Sequence, residues 1–155
     1  MLLTLTPGEM SVAYLMATLR QTVNEAVGVV DRKSSQLPAI QIHQMGAIAE
    51  IAFAKRFNCF PDLTVQPRKG GYDAMYQGKR IDIKASLDRN ARLVVGVNKD
   101  PADIYVLGIV DGSTVDLIGF AKGVDLFQES NLTDFGTGPR YVMNQAQLIR
   151  FQGDE

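Results

Sequence analysis

Residues 46–54, GAIAEIAFA, constrain this chain more than any other stretch, because they are apolar around almost a whole helical circumference. Helical spacing extends from about 39 to 57, and a helix apolar on nearly every side has no face to give to water. It must be enclosed, so the chain has to supply layers on more than one side of it. One acid, Glu50, stands inside the run, with Gly46 and Ala47 one turn before it and Phe53 and Ala54 one turn after. A carboxylate in such surroundings is costly unless it is paired, hydrogen-bonded or bound to a cation.

The enclosing layers are legible on either side. Thr6 as N-cap, Pro7 at the first helical position and Glu9 at the capping-box acid position start a first helix, predicted over 7–29. Met10, Ala13, Tyr14, Ala17, Val23, Ala26 and Val27 give it an apolar side, and the polar run DRKSSQLP ends it in a loop. From residue 63 the period changes to two. Strands are predicted at 63–66, 72–76, 79–86, 92–97, 104–110 and 114–121, with turns at KGG, QG, NKDPAD and DGS. A short helix near 124–128, a loop NLTDFGTGP, a strand at 141–143 and a last helical turn from Asn144 complete the chain. The expected fold is α+β, a helix packed across a mostly antiparallel or mixed central sheet, in one domain over 1–155.

With 46% hydrophobic and 21% charged residues, the composition is globular. It contains no apolar run of membrane-spanning length and no signal-like N-terminus, so a soluble, intracellular protein without a membrane partner is expected. A single Cys59 rules out an internal disulfide and, flanked by Phe57 and Phe60, reads as a core thiol. A single His43 rules out a histidine-rich metal cluster. The net charge is −1, so no global field draws the chain to DNA. A cation held by carboxylates would restore positive charge at one place.

GYDAMYQGKRIDIKAS carries the chemistry. A two-residue turn at Gln77 and Gly78 sets Ala74 opposite Ile81 and Asp73 opposite Asp82. Tyr72, Ala74, Ile81 and Ile83 then share an apolar face, and Asp73, Arg80, Asp82 and Lys84 the other. Two carboxylates facing each other at about 5 Å between Cβ atoms repel unless something positive lies between them. Mg²⁺ or Mn²⁺, which bind through one or two carboxylates and keep several waters, suit that geometry. Lys84 on the same face is placed to hold a phosphate or an attacking water. The alternative is a solvated strand face on which the two acids pair with Arg80 and Lys84. For Glu50, the alternative is a pairing with Lys55, Arg56 or a backbone group.

A Glu in an apolar helix, an Asp on a strand, then D-x-K on the next strand resembles the PD-(D/E)xK nuclease superfamily, in particular its small phage-encoded members. The likeness runs over about 41–121. It implies a restriction-endonuclease-like αβββαβ core with an extra N-terminal helix. It further implies Mg²⁺ (or Mn²⁺) held by Asp73, Asp82 and the Ile83 carbonyl, with Glu50 completing the site and Lys84 orienting water. DNA would be the substrate, a homodimer would be needed to cut both strands, and the site of action would be the cytoplasm, that of the host if phage-encoded. Tyr72 stands in place of the proline that names the family, and Asp82 is the shorter of the permitted second acids. Some members have lost activity, so a nuclease-fold module that only binds nucleic acid or protein remains the alternative.

Around this centre, His43 lies two turns before Glu50 and reads either as a phosphate contact or as a polar residue at a helix start. Arg68, Lys69, Lys79 and Arg80 read as a basic rim for a DNA strand or as solubility charges. Ser86 continues the parity of Asp82 and Lys84, as a substrate contact or a polar strand end. Gly136, Gly138 and Pro139 read as a loop that moves over the site or, more simply, as a chain reversal.

Overall fold

The computed structural model describes residues 1–28, 36–65, 71–97 and 101–152. Strand β1 (Leu2–Thr4) leads into helix α1 (Pro7–Ala26). Its start is the predicted capping box: the Thr6 N–H donates to Glu9 Oε2 at 2.7 Å, and the Glu9 N–H donates to Thr6 Oγ1 at 3.2 Å. Two donors that a helix start leaves without partners are thereby satisfied. The helix stops at Ala26, short of the predicted end, where Gly28 takes a positive φ of 67°. Ala13, Met16, Ala17 and Asn24 are its buried residues, whereas Tyr14 and Val27, expected on the inner side, are exposed.

Helix α2 (Ala39–Phe57) has the predicted bounds and buries Ala47 to Ala54 except for the half-buried Ile51. Asn58, left-handed at φ 48°, ends it, and Lys55 and Arg56 face the negative end of its dipole. Most of the loop predicted between the helices, part of the KGG and NKDPAD turns, and Gln66 lie outside the described residues.

Next come β2 (Ala74–Tyr76), β3 (Lys79–Ser86), β4 (Leu93–Gly96), β5 (Ile104–Asp111), β6 (Thr114–Lys122) and the short α3 (Gly123–Leu126). β7 (Leu132–Asp134), β8 (Pro139–Met143) and a 3-10 turn capped by Asn144 follow. Two sheets form, one of five strands in the order β1-β6-β5-β3-β2 and one of three in the order β4-β8-β7. Gln77 and Gly78 both have positive φ, 49° and 73°, which is the twist a two-residue hairpin requires. The hairpin register is the predicted one: Ala74 opposite Ile81, Met75 opposite Arg80, Tyr76 opposite Lys79.

The sheet is mixed, within the expected class, and its long-range pairing departs from local expectation in several places. β3 and β5 pair in parallel, because the intervening β4 belongs to the other sheet and the chain re-enters at the end where β3 began. Five strands, β2 to β6, stand between α2 and α3, where the implied αβββαβ order has three. Leu63, Thr64 and Val65 form no strand, and Pro61 alone bridges to Ala74. The predicted loop NLTDFGTGP contains β7, which turns into β8 through Gly136 and Gly138 at φ 84° and 102°. β1 carries no alternating pattern of its own and is held by β6, with the chain's first amino group 2.8 Å from Asp116.

The five-stranded sheet is covered on both faces. Ile81, Ile83, Val106, Val110 and Leu117 pack against the helices, with Ala13, Ala17, Ala49 and Phe53. Tyr105, Leu107, Ile109 and Ile118 pack the other way, with Leu93, Val95, Leu126 and Met143. Among the described residues no helix is long and apolar enough to cross a membrane.

Candidate functional site

Strand β3 positions the central pair. Asp82 lies beside Tyr105 and Lys84 beside Leu107 in the parallel register, so both project to the side covered by the small sheet. Asp82 is only 1% exposed, and Lys84 Nζ lies 2.5 Å from its Oδ1. The solvated strand face is thereby excluded for Asp82, a buried carboxylate whose half-buried partner Lys84 supplies the charge that burial makes necessary.

Asp73 stands one residue before β2, just past the paired register. Its N–H donates to the Ile81 carbonyl at 2.7 Å, and its Oδ2 accepts the Ile83 N–H at 2.6 Å. The side chain thus takes the place of a backbone acceptor, reaching across the hairpin into the strand that bears Asp82 and Lys84. Ile83, implied as a carbonyl ligand, meets Asp73 through its N–H. Burial, reinforced by the charges of Glu50 and Asp82, raises the Asp73 carboxyl from its ordinary 3.8 to about 7; the Ile83 hydrogen bond and Lys84 oppose the rise.

Glu50 arrives from the other side. α2 packs across the sheet, as expected, on the face of Ile81 and Ile83. Both Glu50 oxygens accept from Arg20 of α1, Oε1 from Nη1 and Oε2 from Nη2, each at 2.8 Å, and Arg20 Nη2 also donates to the Asp62 carbonyl at 3.1 Å. This two-pronged pairing is the strong form of a charge-assisted bond. Burial still holds the Glu50 carboxyl above its ordinary range; Arg20 pulls it down, while Asp62 and Asp82 push it up. Burial works against the Arg20 charge, yet Glu50, Asp73 and Asp62 together raise its pKa.

Arg20 is the partner that sequence reasoning missed; Lys55 pairs instead with Glu9. A signal was present. Arg20 is three residues after Ala17 and four before Asn24, in register with the buried stripe of α1, and an arginine there demands a carboxylate. Asp62 was missed as well. It lies in a segment without regular structure, and its role comes from its carbonyl and its charge.

The remaining candidates scatter. Arg80 is engaged at the far end of β3, where Asp103 Oδ2 accepts its backbone N–H at 2.8 Å and lies 3.4 Å from its Nε. Ser86 keeps the parity of Asp82, and its Oγ accepts the Asp88 N–H at 3.1 Å, closing a turn. His43 is half-buried on α2, seven positions before Glu50. Arg68 and Lys69 lie outside the described residues. Cys59 is half-buried beside the main core, and burial raises its thiol pKa.

The arrangement concentrates three mutually repelling carboxylates, Glu50, Asp73 and Asp82, balanced by Arg20 and Lys84. Among the described residues no group of three or more His, Cys, Asp or Glu side chains is arranged to hold a metal ion. Glu50 has both oxygens on Arg20, which leaves a two-carboxylate set. By donor chemistry Asp73 and Asp82 fit Mg²⁺ or Mn²⁺, which need one or two carboxylates when water and phosphate oxygens supply the rest. No protein-family model, curated protein or solved structure matches this chain.

Proposed function

We propose that the chain is a Mg²⁺-dependent nuclease of the PD-(D/E)xK type that hydrolyses DNA phosphodiester bonds. The observation that carries this reading is the buried Asp82, paired with the half-buried Lys84 and joined to Asp73 across one hairpin, since two clustered carboxylates, one of them with raised proton affinity, call for a cation. Asp73, Asp82 and the Ile83 carbonyl would hold Mg²⁺ or Mn²⁺. Bound there, the ion would draw charge from a phosphate oxygen and acidify water. Lys84 supplies a positive charge beside the same carboxylates, placed to orient the attacking water and steady the phosphate. Glu50 is read as a supporting acid, fixed by Arg20. The hairpin followed by a strand parallel to β3, with α2 across the sheet, is the part of the fold that supports a restriction-endonuclease-like core; the five strands between α2 and α3 depart from it. A homodimer would bring two such sites to a duplex.

The test is cleavage of plasmid, single-stranded and branched DNA in Mg²⁺ or Mn²⁺. Asp82→Ala and Lys84→Ala proteins that fold normally should both lose it. If the wild type cuts none of these with either metal, the enzymatic reading fails. A second reading, a nuclease-fold module that only binds nucleic acid or protein, is favoured by one observation: Glu50 and Asp82 each have a cationic partner, Arg20 and Lys84, without a metal. Calorimetry with Mn²⁺ separates the two, absence of binding favouring the module.

A further inference from the structure

At the C-terminal end of α2 the fold leaves a cavity of about 580 Å³ whose lining includes none of the acidic residues of the site above. Its aromatic lining is drawn from four parts of the chain: Phe57 of α2, Tyr76 of β2, Phe120 of β6, and Phe151. The rings form a continuous patch, with Phe57 5.2 Å from both Tyr76 and Phe151, and Phe151 5.3 Å from Phe120. All four are only partly buried against the main core. Two guanidinium groups stand among them. Arg56 lies over the Phe57 ring at 5.6 Å, and Arg150 Nη1 donates to the Ile118 carbonyl at 2.8 Å, which fixes its position. Asn58 and Gln152 add side-chain amides that both donate and accept, and among the described residues the lining has no carboxylate.

A cavity of several hundred Å³ is the size that takes a small molecule. Its composition narrows the class. A purely apolar ligand has no use for two guanidinium groups, and a bare anion has none for four rings. Flat π-surface, anion-binding arginines and amides able to read a polar edge together match one chemistry, a base joined to a phosphate. We propose that this cavity binds a nucleotide, its base against the Phe57–Phe151 patch, its phosphate on Arg56 and Arg150, and its base edge toward Asn58 and Gln152. The site uses none of Asp73, Asp82 or Lys84, so it stands whether or not those residues cleave anything. Tyr76 is three residues from Asp73, roughly 10 Å along an extended strand.

The experiment is calorimetry on the full chain in EDTA with four probes: dAMP, 2-deoxyribose 5-phosphate, inorganic phosphate and a thymidine hexanucleotide. dAMP or the hexanucleotide should bind about tenfold or more tightly than the two base-free probes, the loss expected when stacking is removed. The tighter of the two identifies the source as a free nucleotide or a strand, and either supports the site. Phe151→Ala and Arg150→Ala should each weaken binding about tenfold. Since Phe151→Ala also touches the core, nuclear magnetic resonance on the wild type is the companion measurement, with the Tyr76 and Phe151 ring signals shifting on addition of dAMP or the hexanucleotide. The proposal is overturned if neither binds, if inorganic phosphate binds as well as they do, or if the ring signals stay fixed. A wild-type chain that binds nucleotide but cleaves no DNA would count against the nuclease reading alone.

Discussion

Replacing Asp73 by Asn isolates the electrostatics of the site, because the amide oxygen can still accept the Ile83 N–H while the charge is gone. Within the metal-free fold the Asp73 carboxyl releases its proton near pH 7, against an ordinary 3.8. Between those values the folded chain holds a proton that the unfolded chain has already lost. Stability therefore falls as pH rises from about 4 to about 7, and the loss is complete above that window. At about 1.4 kcal/mol per pH unit the full span is on the order of 4 kcal/mol, and solvent screening of a half-buried group trims it to roughly 2–4 kcal/mol. Asp73→Asn should escape this loss. In EDTA at pH 8 its melting temperature should exceed that of the wild type by on the order of 10 °C, and the two should converge near pH 4. Thermal unfolding followed by circular dichroism across pH 4.5–8 reads the difference directly. Mg²⁺ should then raise the wild-type midpoint at pH 8 and leave Asp73→Asn unmoved. A gap that does not change with pH, or a variant less stable than wild type at pH 8, would refute the reasoning.

Two further perturbations probe the frame around the site. Arg20→Ala leaves Glu50 buried without its guanidinium and should destabilise the protein by about 3–5 kcal/mol in urea unfolding, with Glu50→Gln in the same chain restoring part of it. No rescue would mean that Arg20 acts through packing alone. Gly119→Ala would place a Cβ 2.7 Å from the Ile149 carbonyl, on a segment bridged to Phe120 by hydrogen bonds of 2.9 and 2.8 Å. A backbone clash of that kind should cost about 1–3 kcal/mol by denaturant midpoint and loosen the segment that carries Phe151; an unchanged midpoint would show that the segment simply moves aside.

Much of the framework was legible because its causes are local. Thr6, Pro7 and Glu9 specify a helix start within four residues, and the apolar circumference of residues 39–57 specifies a buried helix. Gln77-Gly78 sets the register of β2 against β3, and strand parity then puts Asp82 and Lys84 on one side. β1 and β7 were not legible. Each has three residues, too few for an apolar–polar alternation to show in the sequence, and each exists because another strand offers it an edge. Arg80 looked like part of the charged face but pairs with Asp103, whose backbone N–H also donates to the Arg80 carbonyl at 2.9 Å.

The buried helix on which the chain is organised shows where the division falls. Sequence alone determined that the helix is enclosed, that Glu50 inside it needs a partner, and that Asp73, Asp82 and Lys84 belong to one hairpin, since each follows from spacing within a few turns or strand residues. Tertiary structure decided that the partner is Arg20, thirty positions away. It also decided that α2 covers the apolar face of the hairpin and that the small sheet and α3 bury the other. Those outcomes depend on which surfaces meet after distant segments close on one another. The energy of a charge is set by what surrounds it there, and local spacing does not carry that information.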